Sequence, residues 1–239
     1  MSGKSLSPRI HQQRKQSGIS KLGVHMRASF WLQKWKSNEI AFHRHKANPL
    51  LVHHFEELHV EPGSRMFLPL CGKTRDIAWL LEKGYRVAGA ELSKMAIEQL
   101  FAGLEMTPEV SDLGDLNHYS TENIDLFVGD IFHLSPKMLG PVDAIYDRAA
   151  LVALPVEMRD RYTTHLMEIT NKALQLLVTY EYDQNLMDGP PFSISSKEIN
   201  QHYGDSYDLT LIASKEVPGG LKGICAAQEC FWLLTNGRR

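Results

Sequence analysis

No apolar run in this chain approaches the ~20 residues that a membrane-spanning helix requires, so a helical membrane anchor is excluded. The first segment lacks the apolar core of a secretory signal, and none is expected. Cysteine is scarce: Cys71, Cys225 and Cys230 are the three, with no C-x-x-C pair. A disulfide framework is therefore not expected, and a reducing, cytoplasmic setting is. Histidine is not scarce, and five of the 11 fall between His43 and His59. Yet H-E-x-x-H and paired-cysteine patterns are absent, so solvated helix-face histidines are expected there and no metal site. Acidic residues are missing from residues 1–27, which hold six of the 26 basic side chains. The remainder, carrying all 28 acids, has a formal net charge of −8. An acidic body argues against nucleic acid as a partner. The basic, Ser- and Gln-containing head is expected to be disordered. An organelle transit peptide is the weaker reading, because its apolar residues are sparse. Met26, just before the first patterned helix, is an alternative translation start.

With 239 residues, 43% hydrophobic and 23% charged, the chain suits one sizeable α/β domain. A helix is predicted from Phe30 through Trp35, and a second from Asn48-Pro49 to Leu58, with Pro49 in its first turn. Arg65–Leu70 reads as a buried strand. Thr74 can cap the next helix, with Ile77, Leu80 and Leu81 apolar and Gly84 at its end. Arg86–Leu92 is a second strand. Ser93 can cap a helix whose apolar face is Ile97, Leu100, Phe101 and Leu104. A polar stretch, Ser111–Asn123, leads to the strand Ile124–Val128. Val142–Asp147 and Leu174–Tyr182 are further strands, separated by a helix from Pro155. A short helix near Lys197–Tyr203 precedes a closing pair, Tyr207–Ser214 and Gln228–Leu234. The pattern predicts a doubly wound α/β fold: five parallel strands with helical crossovers, then an antiparallel end.

The run Leu68-Pro69-Leu70-Cys71-Gly72-Lys73-Thr74 closes the first strand and opens a helix, with Glu91 nineteen positions past Gly72. This is the layout of a nucleotide-type cofactor site. A triphosphate would want G-x-x-x-x-G-K-[ST], but Phe67 stands where the first glycine belongs. A dinucleotide would want three glycines, and only Gly72 is there. S-adenosylmethionine carries no phosphate. It needs one close backbone approach, a helix N-terminus near its carboxylate and an acid for its ribose hydroxyls. Gly72, the helix behind it and Glu91 meet those needs. The plainer reading of Glu91 is a solvated or lysine-paired acid at a strand end. Asp130 could meet the adenine amino group, with Ile131 and Phe132 flanking the ring; two core residues after a strand is an equally good reading. Arg148 could hold a cofactor carboxylate or an anionic acceptor; alternatively it forms a surface ion pair with Asp147, worth little. Trp31 and Trp35, one helical turn apart, could face a sulfonium, although core packing is the commoner use of such a pair. Cys71 has no catalytic partner in a motif and reads as a small buried residue.

These residues resemble the thiopurine S-methyltransferase family, in particular its bacterial members. The runs that carry the likeness are Trp31-x-x-x-Trp35, Ile40-Ala41-Phe42-His43, Asn48-Pro49, Leu68–Lys73, Gly89-Ala90-Glu91-Leu92-Ser93, Gly129-Asp130-Ile131-Phe132, Tyr146–Leu151 and Gly189-Pro190-Pro191-Phe192. They follow the family's order from about Phe30 to Leu234. The resemblance implies a class I S-adenosylmethionine-dependent methyltransferase. Its Rossmann-like fold is a seven-stranded, mostly parallel sheet with an antiparallel final strand. It implies a single domain over residues 28–239 with an N-terminal lid, residues 1–27 lying outside the match. Cofactor contacts are implied at Trp35, Leu70, Glu91 and Arg148, with Ile131 and Phe132 near the adenine. Phe42 is implied beside the acceptor and Phe192 as a wall of its pocket. The glycine-rich stretch Val217–Lys222 borders that pocket and is shorter than the family's pattern.

The expected reaction is methyl transfer to an aromatic or heterocyclic thiol such as a thiopurine, a small-molecule partner, by a monomer. Other soft nucleophiles are alternatives: a small thiol, or a selenium or tellurium anion. An NAD-dependent oxidoreductase and a non-catalytic binding protein on the same fold are more distant ones.

Overall fold

The computed structural model describes residues 19–40 and 43–237, with side chains from residue 28 onward. Helix α1 (Ile19–Lys36), helix α2 (Pro49–His54) and a 3-10 turn (Phe55–Leu58) lead into β1 (Arg65–Leu68). Then follow α3 (Arg75–Glu82), β2 (Arg86–Glu91), α4 (Lys94–Gly103), β3 (Glu109–Asp112), β4 (Asn117–Thr121) and β5 (Ile124–Val128). The second half runs α5 (Pro136–Leu139), β6 (Ala144–Arg148), α6 (Val156–Ile169), β7 (Leu174–Glu181), α7 (Ser196–Tyr203), β8 (Asp208–Glu216) and β9 (Gln228–Thr235). Among the described residues the strands form one sheet of nine, in the order β3-β4-β5-β2-β1-β6-β7-β9-β8. The central five are parallel, and β4 and β9 run against them.

The seven expected strands are present as β5-β2-β1-β6-β7-β9-β8, and the hairpin β3–β4, residues 109–121 and mostly within the polar stretch 111–123, adds two more at the edge of the sheet. Every residue of β3 is exposed, and Tyr119 is the buried residue of β4. Without a buried face there is no period-2 apolar signal to read. What closes the hairpin is local: Gly114 at φ +87 donates its N–H to Asp112 Oδ1 at 2.7 Å. Helix α1 also begins earlier than expected, at Ile19, so part of the head predicted to be disordered is helical. Once Trp35 anchors a helix, each preceding residue adds a hydrogen bond at small cost, and no proline interrupts.

Alternation places the core on both faces of the sheet. Phe67, Ile145 and Leu177 pack on one side with Tyr162 and Leu166 of α6. Their neighbours Met66, Leu68, Tyr146, Leu176 and Val178 pack on the other with Ile77, Ile97 and Leu100. Strands buried on two faces are as expected for a parallel sheet. The caps stand as predicted: Thr74 accepts the Asp76 N–H and Ser93 the Ala96 N–H. Because β2 and β6 lie on opposite sides of β1, the chain reverses its direction of travel there. Such a switch point opens a crevice at the carboxyl ends of the strands.

Candidate functional site

The crevice is a cleft of about 1400 Å³. A ligand pocket usually measures ~300–1,000 Å³, so this one has room for two small molecules at once. Its floor is built by loops that leave β1, β2, β5 and β6. The strand predicted over Arg65–Leu70 ends at Leu68, because Pro69 has no N–H for the ladder and Leu70 adopts φ +47. A bulky residue there costs ~1–3 kcal/mol of strain, which such sites tolerate. Ala149, just past β6, is held at φ +63.

The β1 loop is clamped from β2. Cys71 N–H donates to the Ala90 carbonyl at 3.0 Å. Glu91 Oε2 accepts the Gly72 N–H and Oε1 the Ser93 N–H, each at 2.8 Å. Glu91 is buried and lines the cleft, which replaces the plainer reading of a solvated acid. Burial pushes its carboxyl up, against the backbone N–H groups of Ser93, Gly72 and Leu92 that hold the charge. The two hydrogen bonds at 2.8 Å leave lone-pair capacity on the carboxylate for further donors. A buried carboxylate at the loop repels a phosphate and suits a pair of hydroxyls. Gly72 sits at φ +54, and a Cβ there would come within 3.0 Å of Trp35 Cζ2. Trp35 therefore covers the loop, and it is 5% exposed. These residues fit S-adenosylmethionine: an acid for the ribose, a bare glycine for the tail and an apolar cover. Burial, followed by the Glu91 charge, pushes the Cys71 thiol well above its ordinary range, so it is no nucleophile at neutral pH.

After β5, Asp130 caps the following turn by accepting the Phe132 N–H at 3.0 Å. Ile131 is buried, and its carbonyl meets His165 Nε2 at 2.8 Å. Phe132 lines the cleft while the Arg161 guanidinium stacks 3.7 Å from its ring centre. Near the end of β6, Asp147 is wholly buried and is not half of a surface ion pair. Its Oδ2 accepts the Tyr162 hydroxyl at 2.7 Å and its Oδ1 the Leu151 N–H at 3.1 Å. Burial lifts this carboxyl to about 6, against the Tyr162 and backbone bonds. Asp147 thus ties the turn bearing Arg148 to α6, and Arg148 lines the cleft.

At the other end, Phe192 lines the cleft and lies against Gly189, where a Cβ would meet its ring at 2.5 Å. Lys222 Nζ donates to the Pro190 carbonyl at 2.6 Å, so the stretch 217–222 closes over that loop. Phe42 lies outside the described residues. Trp35, Leu70, Glu91, Ile131, Phe132, Arg148 and Phe192 do share one cleft.

Sequence reasoning passed over several residues that line it. His43 is not on a helix face; it lies in the cleft, where burial and then the Lys73 charge lower its pKa. Arg44 Nη2 stands 3.5 Å from Glu229 Oε1, which also accepts the Tyr180 hydroxyl at 3.0 Å. Asp76 and Tyr146 were legible only as a helix-start acid and a strand aromatic.

A family model described as thiopurine S-methyltransferase matches residues 26–234. A thiopurine S-methyltransferase of Xanthobacter autotrophicus is 55% identical over 212 residues, covering 88% of this chain and 100% of the relative. One from Teredinibacter turnerae is 50% identical over 211 residues, covering 88% and 98%. Among solved structures, the Burkholderia thailandensis 1,6-didemethyltoxoflavin-N1-methyltransferase with bound S-adenosylhomocysteine superposes with a TM-score of 0.61. It is 14% identical and covers 94% of each chain, which is a likeness of fold.

Proposed function

The chain belongs to the thiopurine S-methyltransferase family, and from that premise we propose a methyl transfer from S-adenosylmethionine to the sulfur of an aromatic heterocyclic thiol such as a thiopurine. The observation that carries this reading is the Glu91 carboxylate, buried and cross-linking the Gly72 loop at the end of β1. When bound, S-adenosylmethionine supplies an electrophilic methyl on a sulfonium, which the acceptor sulfur displaces in line to leave S-adenosylhomocysteine.

The protein's part is placement. Glu91 takes the ribose hydroxyls, and Ile131 and Phe132 flank the adenine. Leu70 walls the methionine tail under Trp35, and Arg148 holds its carboxylate or the acceptor's charge. Phe42 and Phe192 bracket the acceptor. The segment bearing Trp31 and Trp35 is the lid of a single domain and keeps water out. An aromatic heterocyclic thiol is acidic enough to react as its anion, so the roles above include no dedicated base. Holding the two reactants in line can supply ~7–11 kcal/mol of the barrier.

We place the protein in the cytoplasm as a monomer acting on small molecules. No helix among the described residues is long and apolar enough to cross a membrane. The test is transfer of a radiolabelled methyl from S-adenosylmethionine to 6-mercaptopurine, beside a phenol and an amine. Label on the thiopurine alone is expected. Label on the amine alone overturns the sulfur assignment.

A further inference from the structure

The wall of the cleft holds a second buried carboxylate besides Glu91. Asp76, on the first turn of α3, is 1% exposed and lines the cleft. Its Oδ1 accepts the Asn48 N–H at 2.7 Å and its Oδ2 the Thr74 hydroxyl at 2.9 Å. Both donors are neutral, and no cation among the described residues forms an ion pair with it. A buried carboxylate with only neutral partners is costly, and its charge favours a cation nearby.

Tyr146 lines the same wall and is 2% exposed. Its hydroxyl has no hydrogen-bond partner among the described residues. Asp76 is the charge that this hydroxyl feels most, ahead of Arg148, Glu229 and Arg44. Buried hydroxyls almost always have partners, and an orphan in a ligand cleft marks where a ligand's polar group belongs. Tyr146 stands two residues from Arg148 on β6, and both line the cleft.

We propose that Asp76 and the Tyr146 hydroxyl form the subsite for the α-ammonium of the cofactor's methionine tail. The proposal rests on the methyltransferase reading above and deepens it. An amino-acid tail is a zwitterion and needs two poles. The Gly72 loop and the Arg148 turn offer the positive one. Among the described residues four acids line the cleft: Glu39 is exposed, Asp130 is only half-buried and caps the turn at Phe132, and Glu91 holds two backbone N–H groups at the ribose end, so Asp76 is the buried acid left for the tail. The ammonium donates to the Asp76 carboxylate and to the Tyr146 hydroxyl oxygen. This gives the carboxylate its counter-charge and the hydroxyl its partner.

The experiment is calorimetric titration of the wild type, Asp76→Asn and Tyr146→Phe. Two ligands are compared: S-adenosylhomocysteine and its desamino analogue, whose tail is 4-thiobutanoate. The wild type should bind S-adenosylhomocysteine at least tenfold more tightly. Asp76→Asn should erase that preference, weakening S-adenosylhomocysteine roughly 10- to 100-fold while leaving the analogue within about twofold. Tyr146→Phe removes a hydroxyl that no described residue bonds. It should weaken S-adenosylhomocysteine alone by roughly three- to tenfold, and it decides the matter if Asp76→Asn does not fold. Parallel losses for both ligands, or no loss, overturn the subsite. A wild type that binds S-adenosylhomocysteine but shows no preference over the analogue overturns it too. A wild type that binds neither ligand overturns the methyltransferase reading itself.

Discussion

Replacing Glu91 by alanine strikes the cofactor and the fold through the same two oxygens. In the free protein they accept the Gly72 and Ser93 N–H groups at 2.8 Å. Orphaning a buried N–H costs ~1–3 kcal/mol. The variant should therefore lose about 2–6 kcal/mol of folding stability, a large share of the ~5–15 kcal/mol of a typical domain. In the proposed complex the same oxygens also accept the ribose hydroxyls. A hydrogen bond to a charged group contributes ~1.5–3 kcal/mol, so losing two raises the Kd for S-adenosylhomocysteine roughly 10²- to 10⁴-fold. Glutamine retains one acceptor oxygen and turns an N–H₂ toward a donor. Glu91→Gln should fall between, at roughly 10- to 150-fold. Calorimetric titration with S-adenosylhomocysteine reads the affinity, and urea unfolding reads the stability. If a folded Glu91→Ala protein bound within threefold of the wild type, the ribose role would be wrong. If it bound weakly but unfolded like the wild type, the clamp on the Gly72 loop would be wrong.

Gly72→Ala puts a Cβ 3.0 Å from Trp35 at φ +54, and should cost ~1–3 kcal/mol while weakening S-adenosylhomocysteine; melting and titration unchanged from the wild type would refute the close approach. Asp147 titrates near 6 in the fold against an ordinary 3.8, so the native chain keeps a proton that the unfolded chain has released. Its contribution to stability is full below about pH 4 and is lost, by about 3 kcal/mol, as pH rises through 6. Asp147→Asn cannot titrate, so its urea stability between pH 4 and pH 6.5, a window that spans most of the titration, should fall by about 2 kcal/mol less than the wild type's; equal slopes would refute the burial argument. Phe192→Ala should raise the KM for a thiopurine several-fold with the Kd for S-adenosylhomocysteine unchanged, and an equal rise in both would move Phe192 out of the acceptor pocket.

Most of the parallel core was legible because its signals are local and redundant. Ile97, Leu100 and Phe101 recur at helical spacing and are all buried against the sheet. Ile124–Val128 is bounded as predicted, and Thr74 and Ser93 cap the helices they precede. The hairpin β3–β4 was not legible, since β3 is wholly exposed and β4 buries Tyr119 alone, which leaves no alternating apolar signal to read. In the site, Glu91 and Arg148 were legible because strand ends are found by counting. Tyr146 read as strand core, and its burial supports that. Its orphaned hydroxyl is a tertiary fact, visible only once Asp76 is brought to the same wall from α3. Asp147 was misread for a related reason: adjacency to Arg148 suggested a surface pair, whereas its partner Tyr162 lies fifteen positions on.

Leu70 links what was read correctly with what was not. Its apolar side chain extends the strand pattern by two residues, yet the backbone leaves the ladder after Leu68 and turns to φ +47. A leucine has no local reason to adopt that conformation. The fold imposes it through bonds on the two residues that follow: Cys71 to the Ala90 carbonyl and Gly72 to Glu91. The same holds at Ala149, between β6 and the Leu151 N–H that Asp147 accepts. In each case a carboxylate in or beside the loop, buried at the cost of a raised pKa, holds a strained turn at a strand's carboxyl end. Local preference loses where a site must be rigid before its ligand arrives, because strain stored in the free protein need not be supplied on binding. Departures of the backbone from the sequence pattern at 70 and 149 therefore mark the cofactor cleft as clearly as the motif that led to it.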